Sequence, residues 1–223
     1  MNDDLSRRLL GEAIGSALLV TAVLGSGIMA ENLSDDVGLV LFQNAVATFG
    51  ALVALIHIFG PVSGAHFNPV VSLVDHLFGG IDRRTLLAYV PTQIAGAVVG
   101  GIVANLMFDL DAVDWSTKTR DGGGIWLGEV VATFGLILLI FSMVRNAKGE
   151  WIPVAVGAYI MGAYYFTSST SFANPAVTVG RTVSDTFAGI DPADAPAFIA
   201  FQVLGGLIGW LAVRTLYPVD NST

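Results

Sequence analysis

The sequence predicts an all-α membrane protein: six transmembrane helices plus two re-entrant half-helices, related as an inverted repeat. Three observations lead there. First, the 223 residues are 54% hydrophobic and 13% charged, far more apolar than an ordinary soluble domain, in which about 25% of residues are charged. Second, stretches without Asp, Glu, Lys or Arg cover 13–30, 37–74, 85–108, 130–144, 151–180 and 195–213, several of them as long as the ~18–20 residues that cross a bilayer. Third, the first half of the chain is echoed in the second. "LGEAIGSALL" from Leu10 returns as "LGEVVATFGL" from Leu127, "FNPVV" from Phe67 as "ANPAV" from Ala173, and "QIAGAVVGGIVA" from Gln93 as "QVLGGLIGWLAV" from Gln202. The chain reads as one transmembrane domain over 1–223, with repeats 8–107 and 125–216. An odd number of spans per repeat inserts the second copy upside down.

The elements follow in order. The opening "MNDDLSRRLLGEAIG" has no cleavage-site pattern, so the first apolar run is expected to stay as a span. The runs 37–74 and 151–180 are too long for one crossing, since as helices they would measure roughly 57 and 45 Å at about 1.5 Å per residue. "FGPVSGAHFNPVV" and "FTSSTSFANPAVTV" interrupt them with Gly, Pro and Ser/Thr clusters. Each run is therefore a span, a non-helical descent and a half-helix. Arg7, Arg8, Arg83, Arg84, Arg145, Lys148 and Arg214 fall on one side if the spans alternate. The positive-inside rule then puts both termini in the cytoplasm, and the net charge of −8 reflects solvated loops and tails.

Proline suits the first helical turn and Asn is a favoured cap before it. Asn68-Pro69-Val70 and Asn174-Pro175-Ala176 therefore open two half-helices that approach from opposite faces. Irregular backbone at membrane depth is tolerated only where protein covers it or water lines it, so the expectation is a pore. The carbonyls of 63–66 and 169–172 would serve as acceptors along it, and the Asn amides as donors. Two facing helix N-termini, each worth about half a positive charge, oppose cations and reorient water. With no cysteine, thiolate sites are excluded. His57 and His66 stand alone and read as structural, so neither cofactor nor metal is expected, nor a nucleic-acid partner. No phosphate loop, nucleophile elbow or catalytic carboxylate pair suggests an enzyme.

With "SGAHFNPV", "FANPAV", the paired Glu12 and Glu129 and the paired Gln93 and Gln202, the chain resembles the aquaporin and glycerol-facilitator family over nearly its whole length. The resemblance implies a right-handed bundle of six tilted helices, a homotetramer with one pore per subunit, and passive conduction of water or small uncharged solutes across a bacterial inner membrane. It also implies that Glu12 and Glu129, with His66, support the re-entrant loops; the alternative for the glutamates is a charge snorkelling to an interface. Val70 stands where the family usually has Ala, and should alter packing behind the half-helix. Val177 stands where the family usually has the filter arginine. By the same resemblance the filter takes Thr48 on the second span, Tyr164 or Gly162 on the fifth, and Ser171 or Phe172 in the loop.

Such a filter is wider or more apolar than those of strict water or glycerol channels. It implies passage of glycerol, urea and neutral metalloid hydroxides such as arsenous acid, and "FANPAVTVGRTVSDTFAG" is similar to arsenic-associated bacterial aquaglyceroporins that lack the arginine. Arg181, four residues after Val177, shares its helical face and could line the outer vestibule; otherwise it pairs with Asp185 or meets headgroups. A water-selective pore, a coupled secondary transporter and a non-conducting junctional membrane protein are the competing readings.

Overall fold

The computed structural model describes residues 2–218. Eight α-helices build it, and no strand occurs among the described residues: α1 (Asn2–Leu33), α2 (Val37–Ser63), α3 (Pro69–Phe78), α4 (Arg83–Met107), α5 (Gly123–Arg145), α6 (Ile152–Phe166), α7 (Pro175–Gly180) and α8 (Ala195–Leu216). Helices α1, α2, α4, α5 and α8 are long and apolar enough to cross a membrane. The sixth expected span, α6, has 15 residues. Pro153 sits in its first turn behind the 3₁₀ turn Gly149–Trp151, and the Ser/Thr cluster after Phe166 ends it. Two details differ from expectation. Helix α2 continues through Gly60 and Pro61 to end at Ser63, where Gly64 adopts a left-handed cap. The half-helix α7 lasts only 6 residues before the 3₁₀ turn Arg181–Val183.

The two halves pack alike. Helix α1 lies against α4 and α2, and α5 lies against α8 and α6, while α2 meets α6 between the halves. Glycines set the closest crossings. A Cβ on Gly96 or Gly100 would sit 2.4 or 2.1 Å from the carbonyl oxygens of Ala13 and Ala17 on α1, and one on Gly205 would sit 2.4 Å from that of Val130 on α5. Small residues let helix backbones touch in this way, and in a bilayer such packing contacts drive association. The half-helices α3 and α7 each dock on both α4 and α8, so the close crossings fix where the half-helices end.

Val70 follows Pro69 in the first turn of α3. It is buried with Val71, Val74, Ile137 and Phe141, away from the central cavity, and its Cγ1 occupies the space a Cβ on Gly206 would need, at 2.2 Å. Gly206→Ala should therefore destabilise the protein by about 1–3 kcal/mol through overpacking. The double variant with Val70→Ala should recover most of that loss, because the two sites share one volume; thermal unfolding of the three variants in detergent checks this.

Candidate functional site

The two half-helices meet end to end. Asn68 accepts the Val70 N–H at 2.9 Å through its Oδ1, and its Nδ2 donates across the junction to the carbonyl of Ala173 at 2.8 Å. Asn174 mirrors this arrangement. Its Oδ1 accepts from Ala176 N and Val177 N at 2.9 and 3.2 Å, and its Nδ2 donates to the carbonyl of Phe67 at 2.8 Å. An amide nitrogen carries two hydrogens, so each Asn retains one N–H beside the cavity that both residues line.

The backbone of the descents is unusual in the same way twice. Ala65 and Phe67 have φ of 51° and 48°, and Ser171 and Ala173 have φ of 52° and 48°. Non-glycine residues seldom adopt positive φ, and such conformations persist where the surroundings over-determine them. Here two buried glutamates do so. Glu12, 0% exposed, accepts from Ser63 Oγ, His66 N, Phe67 N and Gln93 Nε2 at 2.6–3.0 Å. Glu129, also 0% exposed, accepts from Phe172 N and Ala173 N at 2.9 Å and from Gln202 Nε2 at 2.6 Å. Each glutamine ties its glutamate to a half-helix, Gln93 through Ser72 on α3 and Gln202 through Thr178 on α7. Burial rules out snorkelling for either carboxyl.

Beside the junction lies a cavity of about 180 Å³. Its polar wall comprises residues 64–68 and 171–174, and its apolar wall includes Leu19, Leu52, Leu136 and Ile160. Ser63 and Ser169 lie outside it, because the Ser63 carbonyl accepts the Tyr89 hydroxyl at 2.7 Å and the Ser169 hydroxyl is turned onto the backbone of Ser171. The usable acceptors are thus shifted one or two residues toward the Asn-Pro junction. His66 lines the cavity with its backbone held by Glu12; its ring meets Ser72 Oγ at 3.0 Å and Asp75 at 3.6 Å. Asp75, two turns into α3, carried no sequence signal beyond that spacing. His57 is bonded to its own helix through Val53 O, and no metal-sized group of His, Asp and Glu converges among the described residues.

Thr48, Tyr164, Ser171, Phe172, Val177 and Arg181 all line the cavity. Thr48 Oγ1 and the Tyr164 hydroxyl share a hydrogen bond of 3.1 Å that joins α2 to α6. Val177 is 6% exposed. Gly162 is exposed on the outer face of α6 and does not line the cavity. Two residues are about 200° apart around a helix, just over half a turn, at about 100° per residue, so Tyr164 and Gly162 cannot share a face. Arg181 does not pair with Asp185, whose carboxylate accepts from Thr117. It is 2% exposed, donates its Nε–H to the carbonyl of Ala188, and lays its guanidinium over the Phe172 ring, 3.4 Å from the centroid.

Residues 2–172 match the family described as major intrinsic protein, MIP. The chain belongs to the major intrinsic protein family. The match closes just before the second Asn-Pro, but individual relatives extend past it. The chain is 50% identical over 213 residues to aquaglyceroporin AqpS of Rhizobium meliloti (strain 1021), covering 96% of this chain and 91% of that one. It is 28% identical to glycerol uptake facilitator protein 3 of Lactiplantibacillus plantarum, covering 97% and 99%. The solved aquaglyceroporin from Plasmodium falciparum superposes with a TM-score of 0.72 at 20% identity, covering 97% of each chain, which shows the fold. As a major intrinsic protein, the chain is a transmembrane channel for small solutes.

Proposed function

We propose that this channel passes small uncharged solutes larger than water: glycerol, urea and neutral hydroxides such as arsenous acid. The observation that carries the reading is that Val177 lines the same cavity as the hydrogen-bonded Thr48 and Tyr164. An isopropyl group there narrows the passage less than a long side chain would, and presents no donor that a solute must replace. Ser171 and Phe172 supply the loop side of the filter, and Arg181 supplies a fixed charge in the vestibule one helical turn further out. The facing starts of α3 and α7 oppose cations. The names of the relatives, an aquaglyceroporin and a glycerol facilitator, agree with the solute class.

The two matching sets of Glu, Gln and Asn-Pro contacts support division of the single domain into inverted repeats 8–107 and 125–216. The basic loops favour an inner-membrane location with both termini cytoplasmic, which puts Arg181 at the outer mouth. Resemblance to the family supports a homotetramer as the assembly.

Stopped-flow light scattering on proteoliposomes tests the reading. With glycerol, urea or arsenous acid outside, vesicles should shrink and then reswell much faster than protein-free ones. Fast shrinkage without faster reswelling would instead mean a water-selective pore, and saturable flux that follows a proton gradient would mean coupled transport. Vesicles indistinguishable from protein-free ones would mean a junctional, non-conducting role.

A further inference from the structure

The outer loops gather three cations around one short stretch of backbone. The Phe187 carbonyl accepts from Lys118 Nζ at 2.5 Å and from Arg120 Nη2 at 3.2 Å, the Ala188 carbonyl accepts from Arg181 Nε, and the Gly189 carbonyl accepts from Arg120 Nε at 2.8 Å. Two of the three share an aromatic ring: the guanidinium carbons of Arg181 and Arg120 lie 3.4 and 5.0 Å from the Phe172 centroid. Residues 109–122 reach this place by lying along the end of α7, with Asp114 N and Ser116 N donating to Val183 O and Thr182 O.

No carboxylate forms an ion pair with any of the three side chains; among the described residues the one such contact is His66 with Asp75. Neither Nη of Arg181 donates to a protein acceptor among the described residues, although the residue is 2% exposed and lines the pore cavity. Collecting like charges out of water is costly, and buried charges are ordinarily paired. Here no carboxylate contacts the guanidinium of Arg181 among the described residues, and its free edge faces the cavity.

We propose that the outer mouth is a binding station for a small oxyanion, held by the unpaired Nη groups of Arg181 with Arg120 and Lys118 around it. A guanidinium presents parallel N–H groups that match two oxygens of such an anion, while the backbone carbonyls fix the three cations without neutralising them. An anion seated there narrows the path past Phe172 and Val177, so external oxyanion regulates neutral-solute flux; this part rests on the channel reading above. The station lies inside the subunit at the pore mouth, which points to an anion from solution and not to a lipid headgroup.

Isothermal titration of sulfate into purified protein, at ionic strength held constant with chloride, reads the binding without requiring conduction. One saturable site per chain is expected. Arg181→Gln, which keeps a donor for Ala188 O, and Arg120→Gln should each weaken it at least about tenfold, whereas Arg181→Lys should weaken it less because charge remains. Burial and the nearby Arg120 and Arg181 hold Lys118 down to about 8, against Glu31 and Asp185 acting the other way, so affinity should fall as pH rises through that value. Absence of saturable heat with the intact protein overturns the proposal, as does unchanged affinity in either glutamine variant; if Arg181→Gln does not fold, Arg120→Gln decides. Glycerol reswelling without sulfate tests conduction separately. Headgroup binding would appear as sulfate heat that vanishes when the protein is purified in anionic lipid, and would overturn the assignment to a solution anion.

Discussion

Glu12→Ala should cost the protein several kcal/mol and abolish solute flux. Removing the carboxylate leaves the N–H groups of His66 and Phe67 without their acceptor and takes one partner each from Ser63 and Gln93. A buried donor left unsatisfied costs about 1–3 kcal/mol, so roughly 3–6 kcal/mol is at stake. The left-handed conformations at Ala65 and Phe67 would then lose what enforces them, and Asn68 would no longer be presented to the pore. Glu12→Gln should recover only part of the loss, because an NH₂ group would replace one of the two oxygens that accept. Thermal unfolding in detergent, paired with glycerol flux in proteoliposomes, reads both effects. An unfolding temperature and flux equal to those of the unmodified protein would show that the descent is held by something else. Glu129→Ala should behave alike, since its carboxylate serves Phe172, Ala173 and Gln202.

Val177→Arg should lower glycerol, urea and arsenous acid flux by about tenfold or more while reducing water flux far less. The physical reason is width first, because Val177 is buried at the wall of the cavity that Thr48 and Tyr164 also line. Charge adds to it. A second guanidinium would stand one helical turn from Arg181, and at an effective dielectric near 20 two such charges about 6 Å apart repel by roughly 3 kcal/mol, which would push the new side chain across the passage. Reswelling rates with each solute, normalised to osmotic water permeability, measure this. Equal loss for water and all three solutes would argue against Val177 as a filter position.

The local parts of this architecture were legible because local chemistry dictates them. Asn before Pro favours a helix start, and Asn68 and Asn174 do cap α3 and α7. The pairing of Glu12 with Gln93, and of Glu129 with Gln202, was visible as a repeated spacing, although no sequence reading gives the hydrogen bonds to Ser72 and Thr178. Counting failed at α6, where Gly162 and Tyr164 were both admissible. The descent after α6 spans 167–174 and that after α2 spans 64–68, so offsets from the two Asn-Pro pairs are not interchangeable. Arg120 escaped altogether: it reaches Phe172 and the carbonyls of 187–189 only through folding of the 109–122 loop. Such long-range contacts leave no periodicity to read.

The central claim is that an aqueous thread passes the junction of α3 and α7 and admits neutral molecules while stopping cations. Glycerol reswelling and proton leak, followed with an entrapped pH dye in one preparation of proteoliposomes, address it together. Rapid reswelling with a proton leak no greater than that of protein-free vesicles is the predicted result. A leak that rises in step with the glycerol rate would contradict it.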